Sequence, residues 1–166
     1  MLSSIFQDWE SNKKNVKARI VLACFRIAHL AVYNKFLFIF LIPHLILYRV
    51  FVEWFLGIEL PYKTEAGKGL KIYHGQALVV NDGTIIGINC TLRNSTTIGN
   101  KISKDGNLSQ CPVLGDNVDV GCNVSIIGPV VIGDNVIIGA GSVVVKNVPS
   151  NSIVAGNPAR VIKFVE

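Results

Sequence analysis

The sequence predicts a mainly β protein, in which a triangular solenoid of short parallel strands follows a short α-helical segment. Three observations support this fold class. Aliphatic residues recur with a six-residue period between Val80 and Val148. A small or β-branched residue stands four positions after each of them. Upstream, residues 1–57 hold a single glycine, Gly57, and lack this period. We therefore divide the chain into a helical segment, residues 1–57, and a β-solenoid domain, residues 58–166.

The six-residue period is the most specific signal in the chain. Its aliphatic positions are Val80, Ile86, Leu92 and Ile98, and then Leu114, Val120, Ile126, Ile132, Ile138 and Val144. This period matches neither a 3.6-residue helix nor the two-residue alternation of a strand, and it is typical of repeat architectures. We expect three hexads to close one coil and stacked coils to bury a continuous core. An ordinary sandwich of short strands is the alternative fold.

The corners of this solenoid are predicted from the residues that follow the aliphatic positions. Glycine often comes next, and we expect it to adopt unusual backbone angles in a tight corner. The corner glycines are Gly87, Gly99, Gly115, Gly121, Gly133 and Gly139. The Asp116-Asn117 and Asp134-Asn135 pairs suit the same corners, because both residue types tolerate left-handed conformations.

Two segments of the solenoid domain depart from the register. Ile98 and Leu114 are 16 residues apart, which is not a multiple of six, so residues 103–112 are predicted to leave the solenoid as an extruded loop. Loops on a rigid scaffold often carry function. Residues 149–166 are predicted to cap the solenoid, and we expect Pro149 and Pro158 to stop strand pairing there.

The N-terminal segment is predicted to be helical over Lys17–Tyr33 and again over Leu45–Leu56, while Pro43 is expected to end the apolar run Phe36–Ile42. These helices could pack on the solenoid or on a neighbouring subunit. Peripheral membrane contact through residues 13–56 is a second reading. A membrane span is disfavoured, because each half is shorter than the ~20 residues that a span needs.

Composition narrows the classes of partner. The net charge of +5 fits an anionic ligand or a membrane surface. There is no arginine- and lysine-rich stripe with interleaved aromatics, so no nucleic-acid partner is predicted. The four cysteines form no CxxC pair and no histidine cluster accompanies them, so no metal is predicted. The cysteines are expected to be free thiols, and the N-terminus does not resemble a signal peptide. Both observations favour a cytoplasmic location, and the alternative is a cytoplasmic protein that contacts the inner face of the membrane.

The hexad array, the loop after Ile98 and the ending VPSNSIVAGNPARVIK resemble the hexapeptide-repeat acyltransferases. More narrowly, residues 58–163 are similar to the catalytic domain of serine O-acetyltransferase, and closer still to its relatives that O-acetylate sugars of bacterial surface polysaccharides. The resemblance implies a left-handed parallel β-helix, a homotrimer, acetyl-CoA as the donor co-substrate, and active sites between adjacent subunits.

The resemblance also implies a catalytic pair. In serine acetyltransferases the general base is a histidine fifteen residues after an aspartate; His74 matches the histidine, and Glu59 stands at the place of the aspartate. A neutral imidazole is well suited to take the proton of an attacking hydroxyl, and a carboxylate on its other nitrogen would fix the tautomer. The alternative for His74 is a corner histidine without catalytic function. His29 and His44 are expected to pack within the helical segment.

For acetyl-CoA, the family places the pantetheine arm in a groove between adjacent solenoids. The positions of this chain that match the groove are Gly99, Asn100, Gly121, Cys122, Gly139 and Ala140. Lys146, Arg160 and Lys163 are candidates for contact with the nucleotide phosphates. The same glycines would be needed for the corners alone, and the three basic residues could simply form a solvated end.

Two departures from serine acetyltransferases bear on the acceptor. Gln110-Cys111 replaces an Arg-His pair, whose arginine pairs with the carboxylate of the amino acid, and Tyr73 replaces an aspartate that holds its amine. We therefore predict a sugar hydroxyl as acceptor, contacted by Tyr73, Asn100, Gln110 and Cys111. The rivals are serine O-acetyltransferase, which would need a carboxylate clamp such as Arg93, a non-catalytic trimeric scaffold, and a carbonic-anhydrase-like metal site.

Overall fold

The computed structural model describes residues 2–165, and its N-terminal third is helical. Helix α1 spans Leu2–Ile5, α2 spans Val16–His29 and α3 spans Lys35–Tyr48. A 3₁₀ turn, Leu30–Val32, follows α2, and a π-helical stretch, Arg49–Phe55, continues α3. The helices α2 and α3 are capped by Asn15 and Asn34, whose side chains accept hydrogen bonds from the backbone N–H groups of Ala18 and Leu37.

Over residues 2–165, fifteen short strands form three sheets, which are the faces of a triangular prism. Sheet A contains β1 (Ile58–Glu59), β4 (Leu78–Val80), β7 (Thr97–Gly99), β10 (Ser125–Ile127) and β13 (Val143–Val144). Sheet B contains β2 (Glu65–Ala66), β5 (Ile85–Ile86), β8 (Val113–Leu114) and β11 (Val131–Ile132). Sheet C contains β3 (Lys71–Tyr73), β6 (Thr91–Arg93), β9 (Asp119–Val120), β12 (Ile137–Ile138), β14 (Ser152–Gly156) and β15 (Ala159–Phe164).

The six-residue period builds the core as predicted. All ten aliphatic residues of the register are buried, and so are the nine residues four positions later, including Thr84, Cys90 and Ser142. Pairing between successive coils is parallel in every sheet, for example Ile86 against Leu114 and Ile132 against Leu114. The fold is therefore a left-handed parallel β-helix with a helical N-terminal segment.

The corner glycines serve a different purpose from the one predicted. None of the six has a positive φ; the left-handed corner residues are instead asparagines such as Asn117 and Asn135. A Cβ on Gly121 would lie 2.6 Å from the backbone nitrogen of Ala140 in the next coil. Glycine is needed there because stacked coils approach each other more closely than a side chain allows.

The two departures from the register have distinct structures. The segment between β7 and β8 projects from the prism and is closed on itself by an antiparallel bridge between Ile102 and Leu108. At the C-terminus, the expectation that prolines stop strand pairing is wrong. Strand β14 pairs in parallel with β12, and β15 folds back antiparallel on β14. Pro158 occupies the turn between β14 and β15, where no ladder hydrogen bond is lost.

The N-terminal segment covers the open edge of the first coil. Asp8 accepts hydrogen bonds from the N–H groups of Gly69 and Leu70, and it forms a buried ion pair with Arg26 at 2.7 Å. Asn12 donates to Leu70 O and accepts from Ile72 N, as a neighbouring strand would. These side chains satisfy backbone groups that would otherwise be unpaired at the edge of sheet C.

Pro43 does not end the helix, in contrast to the sequence-based expectation, and lies inside α3. Contacts on either side hold the helix together despite the lost N–H donor. His44 Nε2 lies 2.9 Å from Cys24 O, and the Tyr48 hydroxyl donates to Leu60 O at 2.6 Å. Together, α3 and its π-helical continuation form one apolar helix of 21 residues, Lys35–Phe55, which is long and hydrophobic enough by composition to cross a membrane.

Candidate active site

His74 lies at the corner between sheets C and A, immediately after β3. Its side chain is exposed and its backbone is left-handed, with a φ of 66°. Lys17 Nζ donates to His74 O at 2.9 Å, so the N-terminal segment holds this corner in place. Histidine, asparagine and aspartate adopt this conformation more often than other residues with a side chain, and Ala77 and Ser95 share it elsewhere in the chain.

His74 lines a cleft of about 540 Å³ between this corner and the N-terminal segment. Polar side chains dominate its lining: Glu10, Ser11, Asn12, Lys13, Lys14, Asn15, Lys17, Tyr73 and Gln76. Three lysines stand against one carboxylate, Glu10, which pairs with Lys13 at 3.3 Å. The cleft is thus rich in hydrogen-bonding groups and carries an excess of positive charge.

Tyr73 is 43% exposed and stands next to His74 at the end of β3. The guanidinium of Arg93, one coil further, lies 5.6 Å from the centre of the Tyr73 ring. Arg93 also forms an ion pair with Asp119 and donates to Val120 O at 2.7 Å. The hydrogen bonds to Asp119 raise the pKa of Arg93, and its charge is already neutralised by that carboxylate.

Four of the predicted acetyl-CoA contacts lie on the same corner as His74, further along the prism. Gly121 and Cys122 follow β9, while Gly139 and Ala140 follow β12. Both strands belong to sheet C, which β3 begins. Successive coils are about 4.8 Å apart. Cys122 therefore lies about two coils, and Ala140 about three coils, from His74.

A second group of predicted site residues lies at the corner between sheets A and B, on the other side of sheet A from His74. Glu59, Gly99 and Asn100 line a shallow cavity of about 380 Å³ together with Asn81. Cys111 joins this group, because its Sγ donates to Asn81 Oδ1 at 3.0 Å. Gln110 precedes it and is exposed. Burial raises the pKa of the Cys111 thiol, which does not favour a nucleophilic role.

Within one chain, the two groups face different cavities. Among residues 2–165, no hydrogen bond joins Glu59 to His74. Sheet A separates the group that holds His74 from the group that holds Glu59 and Gly99.

The three residues predicted to contact the nucleotide phosphates lie on two different sheets. Lys146 follows β13 of sheet A, whereas Arg160 and Lys163 lie on β15, the edge strand of sheet C. All three are exposed. His29 and His44 instead bond to the backbone of their surroundings; His29 Nδ1 lies 2.7 Å from Tyr62 O.

Sequence reasoning missed the part of the site that the N-terminal segment supplies. Asn15 caps α2 and also donates to Ile72 O at 3.0 Å, next to the strand end that carries His74. The only signal in the sequence was the polar run SNKKN before the helix. Over the part of the chain that the structure describes, no group of three or more His, Cys, Asp or Glu side chains is placed to hold a metal ion.

The chain is similar to several acetyltransferases. Residues 111–146 match the family described as bacterial transferase hexapeptide (six repeats). The putative colanic acid biosynthesis acetyltransferase WcaB of Escherichia coli (strain K12) is 35% identical over 164 residues, which cover 95% of this chain and 98% of WcaB. A serine acetyltransferase of Synechococcus elongatus is 39% identical over 106 residues, which cover 64% of this chain but 43% of that protein.

Solved structures share the fold. The soybean serine acetyltransferase apoenzyme superposes with a TM-score of 0.78 at 25% identity, over 96% of this chain and 68% of that one. Serine acetyltransferase from Brucella abortus gives a TM-score of 0.77 at 22% identity, over 99% of this chain and 69% of that one. Because WcaB matches along almost its whole length, the chain is an acetyltransferase and belongs to the hexapeptide-repeat family of these enzymes.

Proposed function

We propose that the protein transfers the acetyl group of acetyl-CoA to a hydroxyl of a saccharide, with His74 as the general base. The observation that carries this proposal is the exposed, left-handed His74 beside a polar cleft. In that position an acceptor hydroxyl can reach the imidazole without rearrangement of the core. The family supports acetyl transfer, and the cleft supports the choice of acceptor.

The proposed step needs one proton acceptor. A ring nitrogen of His74 takes the hydroxyl proton while the oxygen attacks the thioester carbonyl, so that a C–O bond forms and the C–S bond breaks. The imidazolium then returns the proton to the departing thiolate, which leaves as free CoA. General-base catalysis of this kind contributes about 10²–10⁴ to the rate. Glu59 remains the predicted partner that orients the imidazole, and because it lies apart from His74 within one chain, it would have to come from a neighbouring subunit.

The acceptor is proposed from the cleft and from WcaB. The printed name of WcaB assigns that protein to colanic acid biosynthesis. Amides, hydroxyls and an aromatic ring, Tyr73, are the groups that commonly bind sugars, and Lys13, Lys14 and Lys17 favour an acceptor with a carboxylate or phosphate. We therefore propose an acidic or phosphorylated saccharide.

Acetyl-CoA is proposed to bind between subunits of a homotrimer. The two groups of candidate residues support this arrangement, because they lie at the two corners on either side of sheet A. A neighbouring chain could bring one group of its own residues next to the other group of this chain. Gly99 and Asn100 of one chain would then face Gly121, Cys122 and Ala140 of the next. A protein that uses acetyl-CoA belongs in the cytoplasm, and α3 adds a contact with the inner face of the membrane.

L-Serine is the second candidate acceptor, because serine acetyltransferases are also similar to this chain. Its carboxylate would need a cationic partner. Arg93, which the sequence suggested for that role, is engaged by Asp119. The lysines of the His74 cleft are the remaining candidates, so serine must be included in any assay.

The test is release of CoA from acetyl-CoA by the purified protein, with L-serine and with neutral, acidic and phosphorylated saccharides as acceptors. His74→Asn keeps a residue that tolerates the left-handed corner, and it should lower kcat/KM by about 10²-fold or more. Asn89→Gly, at another left-handed corner, is the control and should retain activity. Turnover by His74→Asn close to the unmodified rate would refute the base, and turnover with L-serine alone would refute the saccharide.

A further inference from the structure

The outward face of the helix Lys35–Phe55 is apolar along its whole length. Nine large hydrophobic side chains on this face are between 47% and 81% exposed: Phe36, Ile39, Phe40, Ile46, Leu47, Val50, Phe51, Trp54 and Phe55. A surface helix in water presents polar residues on this side. Contiguous exposed apolar patches larger than those of ordinary monomeric proteins mark sites of interaction with proteins or membranes. This helix needs an apolar partner.

The inward face shows how the helix is held. Its half-buried or buried residues follow helical spacing and face the rest of the protein: Leu37, Leu41, His44, Leu45, Tyr48 and Val52. Hydrogen bonds from His44 to Cys24 O and from Tyr48 to Leu60 O fix the middle of the helix against α2 and the first coil. The helix is therefore anchored along its length and does not hang free.

The chemistry of the outer face favours lipid over a protein partner. Protein interfaces contain polar groups and a polar rim, whereas the nine exposed residues of this face offer no hydrogen-bonding group except the Trp54 indole. Tyr33 and Trp54, near the two ends of the helix, are of the aromatic types that collect at membrane interfaces.

Charge points to an anionic surface. Residues 13–56 contain seven lysines and arginines and a single acidic residue, Glu53. Arg26 is buried in its ion pair with Asp8, so six of the seven basic residues remain exposed or half-buried. Glu53 is largely buried and pairs with Arg49 at 3.4 Å. Basic residues close to an apolar helix are typical of segments that bind anionic phospholipids.

We propose that Lys35–Phe55 lies in the plane of an anionic bilayer, half embedded in the interface, and does not span it. A span would require the middle of the helix to leave the protein and enter the hydrocarbon. In this structure the middle is hydrogen-bonded to α2 and to the first coil. This inference concerns the membrane and holds whichever acceptor the enzyme uses.

The first experiment measures flotation of the full-length protein with vesicles of phosphatidylglycerol and phosphatidylethanolamine, compared with vesicles of phosphatidylcholine alone. We expect binding to the anionic vesicles that weakens as salt is raised. The double variant Phe40→Glu/Leu47→Glu should lower the bound fraction by about tenfold or more, because both side chains would be buried in lipid. Both residues are exposed in the protein, so the fold should be kept.

The matched control is Ile102→Glu/Leu108→Glu, which makes the same chemical change at two equally exposed residues of the loop between β7 and β8. It should bind vesicles as the unmodified protein does. If the unmodified protein fails to float, the proposal is wrong. If, in addition, Phe40→Glu/Leu47→Glu lowers the oligomeric state in light scattering, a second copy of the chain covers this face.

A second experiment separates an in-plane helix from a span. A single tryptophan is placed at Phe36 or at Leu47 in a Trp9→Phe/Trp54→Phe background, and its fluorescence is quenched by lipids brominated near the headgroup or near the chain end. In-plane binding at about 5–10 Å depth predicts strong quenching of both positions by the shallow bromines. Strong quenching of Leu47→Trp by the deep bromines would show a span and overturn the in-plane arrangement.

Discussion

Glycine has two different functions in the residues proposed for acetyl-CoA. Gly121 lies where the next coil comes closest, since its missing Cβ would stand 2.6 Å from Ala140 N. Gly99 has no such neighbour; the nearest atom to its missing Cβ is Asn81 Cβ, 3.9 Å away. Stacking of the coils therefore requires glycine at position 121 but not at position 99. The open space at Gly99 is consistent with a ligand groove.

This difference predicts opposite outcomes for the same substitution. Gly121→Ala should lower the free energy of unfolding by about 1–3 kcal/mol, the usual cost of overpacking. Gly99→Ala should leave it within about 0.5 kcal/mol and should raise the KM for acetyl-CoA, because the added methyl narrows the proposed groove. Denaturant unfolding and initial rates measure the two effects. Unchanged kinetics in Gly99→Ala would mean that Gly99 is a corner residue only.

At the scale of elements, the N-terminal segment acts as the cap of the β-helix. The first coil has no coil below it, so its edge would expose unpaired backbone groups. Asp8, Asn12 and Asn15 satisfy groups of residues 69–72, and Arg26 donates to Ala66 O and Gly67 O. The same segment forms one wall of the His74 cleft, which couples the stability of this cap to the candidate site.

The ion pair between Asp8 and Arg26 should therefore matter more than any surface pair. Asp8→Asn leaves a buried guanidinium without a counter-charge and should lower the free energy of unfolding by about 3–5 kcal/mol. Glu10→Gln removes the exposed pair with Lys13 and should cost at most about 1 kcal/mol. Both values come from denaturant unfolding. Equal effects of the two substitutions would show that Asp8 does not hold the cap.

At the scale of the whole molecule, the candidate residues form two groups on either side of sheet A. His74, Tyr73 and Gly121 lie at the corner between sheets C and A, and Glu59 and Gly99 lie at the corner between sheets A and B. Within residues 2–165 of one chain, His74 and Glu59 line two different cavities. If the proposed homotrimer is a closed ring, the His74 corner of each chain would lie beside the Gly99 corner of its neighbour.

Mixed trimers test this arrangement directly. His74→Asn removes the base, and Gly99→Trp should fill the groove without disturbing the stack; each variant alone should be inactive. In co-assembled trimers, an intact site can form from the His74 of one chain and the Gly99 of its neighbour. Random mixing should restore about a quarter of the activity if sites lie between subunits of a closed ring. No recovery would place the whole site within one chain.

The sequence by itself determined the β-helix and its core. An inward side chain at every sixth position is a local property that is repeated ten times, and nine of the ten repeats also bury the residue four positions later. The interruption after Ile98 was visible for the same reason. His74 could be named because its position relative to the array resembles that of a known base.

Only the tertiary structure decided how the ends of the β-helix are closed and where the site residues meet. The cap depends on hydrogen bonds between residues 58 to 62 positions apart, such as Asn12 to Leu70 and Asp8 to Leu70. The six-residue repeat does not predict these bonds. The continuity of the helix through Pro43 depends on contacts with Cys24 and Leu60. The six-residue period shows which side chains point into the core, because it depends only on neighbouring residues. The cap and the continuous helix depend on residues far apart in sequence, which come into contact only when the chain has folded.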